Sequence, residues 1–384
     1  MRHFDHLDGA DRARLFCREP EPVDPGAAHD LRAVALGATL YSPGSRPRLD
    51  ADLARARARG VASSVVCLED SVPDAALAAA EANLVERLRD VHAAGWSVPR
   101  LFVRVRSPEQ LLDVATRLGA AAAQLEGFVL PKFTPAVGAG YLQAVTAAEA
   151  VAGHPLVVMP VVESPEVIHL ETRARVLAEL AALLDEHRDR VLAVRLGATD
   201  FSGTYGLRRP TGMTIYDVRV VATVIADVVN VLGREDGTGF VVTGPVWEYF
   251  GGGERIFRPG LRSSVFDEHG APELREQLID RALDGLIREV ELDKANGLTG
   301  KSVIHPSHVA AVHALQVVSH EEHSDATDVL APAGGSGVLA SGYGNKMNEV
   351  NPHRGWARRT LLRARAFGVA APDVSFVDLL AAAP

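Results

Sequence analysis

The chain is short of several things, and each shortage narrows its chemistry. It has two cysteines, Cys17 and Cys67, in 384 residues. Two offer no disulfide framework and no thiolate ligand spacing, and Cys67 falls inside an apolar run that reads as a buried strand. No uncharged apolar run reaches about 18 residues, the length that spans a membrane. The stretch 220–232 carries Asp227 and reads as a core helix. An excess of positive charge is also missing. A formal net charge of −9 argues against a nucleic-acid or anionic-membrane partner. The N-terminus, MRHFDHLDGADRAR, is polar and lacks the apolar core of a signal peptide. The expected location is cytoplasmic, with no nucleic acid and no membrane partner.

What the chain does have is a regular alternation of strand and helix patterns. Apolar β-rich runs occur at 35–41, 63–69, 100–105, 127–131, 156–162, 191–197, 239–243 and 302–305. They are nearly continuous in apolar residues, as strands covered on both faces should be. Helical patterns lie between them, for example 50–60, 74–95 and 107–127. Ser107-Pro108-Glu109 places a cap, a proline and an acid at a helix start, and Ser164-Pro165-Glu166 repeats the arrangement. Gly60, Gly95 and Gly127 are read as helix ends. Eight such repeats predict an α/β fold of the (β/α)8 TIM-barrel type. The rival, a doubly wound open sheet, would carry a G-x-G-x-x-G turn after its first strand, and this chain does not.

Three regions fall outside the repeat. Residues 1–33 read as an N-terminal extension, ahead of a barrel over 34–319. Residues 250–272 read as an insertion after the seventh strand, of a length usually tied to function or disorder. Residues 320–384 read as a C-terminal lid and helix: a Gly/Ser-rich segment followed by the Arg-rich WARRTLLRARAFG.

In a barrel, chemistry gathers where strands end. The ends here bring Arg46, Glu69 and Asp70, then Arg104, Lys132, Glu163 and Asp200, with Glu248 and His305 further on. A lone acid at a strand end is ordinarily a cap or a surface group. Glu163 and Asp200 on adjacent buried-type strands are different, because two such acids are costly without a cation. Their oxygens, with waters, suit Mg²⁺, or Mn²⁺ in its place, and leave positions open for two substrate oxygens. A 2-keto acid would fill them, with the metal stabilising an enolate. Arg104 offers a fork for a substrate carboxylate, and Glu69 and Asp70 could hold metal-bound waters or shuttle protons.

Two apparent motifs are decoys. GLTGKS (297–302) lacks the first P-loop glycine and precedes a strand instead of following one. HEEH (320–323) is one residue short of the zinc spacing H-E-x-x-H, and reads as a solvated helix face. His305-Pro-Ser-His308 is the stronger histidine pair, because it lies at a strand end.

Taken together, the blocks LYSPGSRPRL (40–49), CLEDSV (67–72), VRV (103–105), VLPK (129–132), VVES (161–164), LGATDFSGTYGLRR (196–209) and GLTGKSVIHPSHV (297–309) resemble one family. It is the HpcH/HpaI aldolase/citrate lyase family, in its citrate lyase beta-subunit-like branch. The resemblance implies a Mg²⁺-dependent carbon–carbon lyase or aldolase. It puts Glu163 and Asp200 at the metal-ligand positions and Arg104 at the substrate carboxylate. Glu69 and Asp70 take the acidic pair beside the metal waters. Arg46 falls in the block that binds anionic groups, including CoA where a CoA thioester is the substrate. Lys132 is counted with the substrate-binding residues. KMNE (346–349) matches a lid that can reach a neighbouring subunit's site, with Glu349 where relatives often carry Asp, so a homo-oligomer is expected.

The chain departs from that pattern at Thr199, where relatives usually have Glu, and in the insertion and lid. A strict citrate lyase beta subunit is therefore not expected. The expectation is a standalone lyase acting on a 2-keto acid, hydroxy acid or acyl-CoA-type substrate. Two alternatives stay open: a thioesterase-type relative on the same barrel, and a non-catalytic ligand-binding or assembly subunit.

Overall fold

The computed structural model describes residues 1–251, 269–280, 283–331 and 337–382. Its strands, in chain order, begin with β1 (Phe16–Arg18), β2 (Ala38–Pro43), β3 (Ser63–Cys67) and β4 (Arg100–Arg104). Next come β5 (Leu125–Leu130), β6 (Val157–Val162), β7 (Arg195–Leu196) and β8 (Lys301–Val303). Short pieces follow as β9 (Val338–Ala340), β10 (Met347–Glu349) and β11 (Val369–Ala370).

β2 to β8 form one parallel sheet in the order β7-β6-β5-β4-β3-β2-β8. The segment 242–244 supplies the eighth stave. Val242 bridges Val194 beside β7, and Gly244 bridges Lys301 of β8, both in parallel. The sheet thereby closes on itself as a (β/α)8 TIM barrel. Period-two alternation sorts each strand between two cores. Val65, Phe102, Val129, Met159 and Val161 fill the inside of the barrel. Val66, Val103, Phe128, Val158 and Val162 pack outward on the surrounding helices.

Local sequence explains much of this, with two corrections. Ser107 caps the helix Pro108–Leu118, its side chain accepting from the Gln110 N–H, and Gly95 ends Leu77–Ala94 at φ 62°. Ser164, by contrast, makes no capping hydrogen bond, and its helix, Pro165–Ile168, lasts one turn before Leu170–Glu186 takes over. Gly127 does not end a helix. It lies inside β5, where an added Cβ would sit 1.7 Å from the Val157 carbonyl oxygen of β6. Close approach of two strands is the reason for that glycine.

The chain's two ends meet below the barrel. β1 pairs antiparallel with β11, and Phe4, Leu15 and Leu31 share a core with Leu315, Phe367 and Leu379. His3 Nε2 lies 3.0 Å from the Ala35 carbonyl, and His313 Nε2 accepts from the Ala38 N–H at 3.1 Å. This layer closes the end where the strands begin. The β9–β10 hairpin packs on the helices His320–Leu330 and Val350–Phe367. Arginines of the helix Val350–Phe367 pair with Glu235, Glu322 and Glu21. Of the insertion expected at 250–272, residues 252–268 lie outside the described residues, as do 332–336 of the Gly/Ser-rich segment. Among the described residues, no helix is long and apolar enough to cross a membrane.

Both decoy motifs have structural roles. Lys301 of GLTGKS is fully buried, its Nζ donating to Glu289 at 2.9 Å and Asp293 at 2.7 Å. HEEH opens a helix through a capping box between Ser319 and Glu322. The strand-end histidines pack as well: His305 stacks on Phe250, and His308 Nε2 lies 3.0 Å from the Tyr249 carbonyl.

Candidate active site

The carboxyl ends of the strands surround a cavity of about 820 Å³, lined among others by Tyr41, Asp70, Arg104, Glu163, Arg195 and Asp200. Glu163 follows β6 directly and is buried to 3% exposure. Asp200 sits in the first turn of the short helix Ala198–Thr204 after β7 and is half-buried. Glu69 and Asp70 follow β3, Arg104 ends β4, and Lys132 follows β5. Five successive βα connections thus aim charge at one place.

Arg104 is the hub. Its Nη2 lies 2.8 Å from Glu69, 3.0 Å from Glu163 and 3.3 Å from Asp70. Burial opposes its charge, but Glu163, Tyr41 and Glu69 hold the guanidinium's pKa above its ordinary value. Lys132 binds twice. Its Nζ reaches Glu69 at 2.5 Å and Asp70 at 3.5 Å, and its backbone N–H donates to Glu163 Oε1 at 2.8 Å.

Four carboxylates, Glu69, Asp70, Glu163 and Asp200, therefore share two cations, Arg104 and Lys132. The imbalance falls on the last two acids. Burial, with Asp200 nearby, pushes Glu163 up to about 7 even against Arg104. Burial and Asp70 raise Asp200. Two crowded carboxylates whose charged forms are disfavoured make a set of hard oxygen donors short of a cation, which suits a small divalent ion. Among the described residues no group of three or more His, Cys, Asp or Glu is placed to hold a metal. The pair alone would leave the remaining positions to water and substrate oxygens.

The structure does not bring two expected residues into this cluster. Arg46 is exposed after β2 and pairs with Asp52. Glu349 is exposed on β10, whose neighbours are β9 and the tail helices. Nearby Glu248 pairs with Arg209, beside the fully buried Trp247.

Sequence reasoning passed over Gly197 and Arg195. A Cβ at Gly197 would meet Glu163 Oε2 at 2.2 Å and Glu163 Cβ at 2.3 Å, so the glycine makes room for that side chain. Arg195 is buried in the wall of the cavity, on β7. Its signal was present as one charged residue in the apolar run VLAVRLG, two positions from the inward-facing Ala193.

Comparison with known proteins agrees with this architecture. Citrate lyase from Burkholderia xenovorans superposes with a TM-score of 0.61 at 20% identity, covering 90% of this chain and 96% of that one. CitE from Mycobacterium tuberculosis, solved with magnesium, acetoacetate and coenzyme A, gives 0.52 at 23% identity, covering 86% and 99%. Malate synthase from Haloferax volcanii, solved with magnesium and glyoxylate, gives 0.50 at 15% identity, covering 81% of each chain. At such identities the likeness is one of fold. No curated protein matches the chain by sequence. A family model described as C–C bond lyase of the TIM-barrel fold matches residues 30–369. Barrel and family model agree, and the chain belongs to the C–C bond lyase family of the TIM-barrel fold.

Proposed function

We propose that the protein is a Mg²⁺-dependent lyase or aldolase that makes or breaks a carbon–carbon bond next to a carbonyl, on a 2-oxo acid, hydroxy acid or acyl-CoA-type substrate. The observation that carries this reading is the Glu163–Asp200 pair, crowded and short of positive charge at one end of a closed barrel. Glu163 and Asp200 would hold the ion. When bound, it supplies Lewis-acid stabilisation of charge on the substrate oxygen. CitE was solved with magnesium, acetoacetate and coenzyme A, which supports the same ion and a CoA thioester as a candidate substrate.

The chain's own groups divide the remaining work. Arg104 faces the cavity and adds positive charge where an enolate oxygen develops. Glu69 is held by both Arg104 and Lys132. Asp70 is less buried and lines the cavity, so it is placed to take or return the proton at the substrate carbon. Lys132 fixes both acids. Arg46, exposed after β2 and paired with Asp52, would meet an outlying anionic group such as a CoA phosphate.

A homo-oligomer fits the tail. Glu349 lies exposed on a hairpin that also exposes Tyr343 and Met347, and in this reading it completes a neighbouring subunit's site. Two free cysteines suit a reducing cytoplasm. The test is deuterium exchange at the carbon next to the carbonyl (C3 of pyruvate and oxaloacetate, the acetyl methyl of acetyl-CoA), followed by NMR with and without Mg²⁺. Metal-dependent exchange that Asp200→Ala abolishes is the expected result. Exchange that persists in Asp200→Ala, or that ignores Mg²⁺, would sink the assignment.

A further inference from the structure

Asp70 is held loosely through its side chain. Arg104 lies 3.3 Å away, Lys132 Nζ 3.5 Å, and the side chain is 54% exposed. Its direction therefore depends on the main chain beneath it. The segment that carries Glu69 and Asp70, residues 68–73, lies between β3 and the short turn Asp74–Ala76. Leu68 and Val72 on either side of the acids are buried. Carbonyls in such places need donors. One side chain supplies them. Arg106 Nε donates to the Leu68 carbonyl at 2.8 Å. Its Nη2 donates to the Val72 carbonyl and lies 3.4 Å from that of Glu69, and its Nη1 pairs with Asp74. The backbone of Arg106 is fixed in turn. Tyr141 Oη donates to its carbonyl at 2.8 Å, and its N–H donates to Gln110 Oε1 at 2.6 Å.

We propose that Arg106 is a positioning residue for the reaction: it clamps the main chain of 68–72 so that Asp70 stays aimed into the cavity. The proposal rests on the lyase reading of the same site. Two arginines, two residues apart, divide the task. Arg104, at the end of β4, meets the carboxylates of Glu69 and Asp70. Arg106, past the end of β4, meets the carbonyls of the same segment. A planar guanidinium offers five N–H donors in a fixed fork, which an ammonium cannot imitate. A proton-transfer group displaced by about 1 Å can lose about a hundredfold in rate. Glu163 and Asp200 stand on the connections after β6 and β7, so the pair proposed to hold the ion does not lean on this clamp. Arg106 also lines a second cavity of about 660 Å³ beside the acid pair, and its side chain is 25% exposed. A small guanidinium from solution can therefore reach its place once the side chain is cut back.

The test is Mg²⁺-dependent deuterium exchange into pyruvate, oxaloacetate and acetyl-CoA by the wild-type protein, Arg106→Ala and Arg106→Lys. In Arg106→Ala the rate at saturating substrate should fall about tenfold or more. Half-saturating substrate concentration, and Mg²⁺ affinity by calorimetry, should stay within about twofold of wild type. Arg106→Lys should recover little of the rate. Ethylguanidinium, which replaces the missing atoms, should restore part of it in Arg106→Ala and leave the wild-type rate unchanged. A merely structural arginine would lower the melting temperature and leave the rate per folded molecule intact, which overturns the proposal with the lyase reading untouched. A loss of rate that follows a matching loss of Mg²⁺ affinity also overturns it, because the clamp would then act on the metal pair. Should Arg106→Ala fail to fold, Arg106→Lys decides: a lowered rate at unchanged Mg²⁺ affinity supports the clamp, and a wild-type rate overturns it. Absence of exchange by the wild-type protein on all three substrates removes the lyase reading and this proposal together.

Discussion

Lys132 donates its backbone N–H to Glu163 Oε1 at 2.8 Å from a left-handed conformation, φ 46°. A side chain with a Cβ costs about 1–2 kcal/mol there. The turn is kept because it aims an N–H at a buried carboxylate while Nζ reaches Glu69 and Asp70. Lys132→Gly should therefore separate strain from function. Melting temperature should hold or rise slightly, since Lys132 and Asp70 are half-exposed and the buried Glu69 keeps Arg104. Catalytic exchange should fall at least about tenfold as Glu69 and Asp70 lose one of the two cations that hold them. A large drop in melting temperature would show that the lysine stabilises more than it strains.

Gly197 and Glu163 occupy space that only one of them can fill. Gly197→Ala forces a Cβ to within 2.3 Å of the Glu163 side chain, so Glu163 must move. Overpacking of this kind costs about 1–3 kcal/mol. We expect Mg²⁺ affinity, measured by calorimetry, to fall by about tenfold or more while circular dichroism stays native. Unchanged affinity would mean that Glu163 does not ligate the ion.

The raised Glu163 makes the metal-free protein sensitive to pH. Its folded pKa of about 7 lies above the ordinary 4.5, so the folded state binds the extra proton between those values. Stability from this group is full below about 4.5 and is lost as pH rises to 7, by about 3 kcal/mol. Mg²⁺ binding near pH 6 should expel that proton. Calorimetry in buffers of different ionisation enthalpy would show release approaching one proton per ion, and Glu163→Gln should release none from this position.

Lys301 holds Glu289 and Asp293 in a site with almost no solvent. Tyr216 donates to Asp293 at 2.8 Å, and Arg209 reaches the far side of Glu289. Lys301→Met leaves the Asp293 carboxylate without its cation and should destabilise the protein by about 3–5 kcal/mol in urea unfolding. A loss under about 1 kcal/mol would show that the network tolerates an apolar replacement.

Much of the molecule was legible in one dimension. The apolar runs located the staves because a strand buried on both faces must be apolar throughout. Ser107 and Gly95 acted through local backbone geometry, and both behave as read. Gly127 and Ser164 do not, because their surroundings come from elsewhere in the chain: the Val157 carbonyl beside one, a single-turn helix after the other.

The order of residues alone determined the barrel, the strand-end addresses of Glu69, Asp70, Arg104, Lys132, Glu163 and Asp200, and the likeness to a lyase family. Periodicity and short motifs are local, and folding does not alter them. Tertiary structure decided which charges satisfy one another. It committed Arg104 to three carboxylates, sank Lys301 of the false phosphate loop into an ion network, and left Arg195 in the cavity wall with no carboxylate. Charge balance depends on distances across a closed sheet, and those exist only once β7 and β8 have been joined through the stave at 242–244.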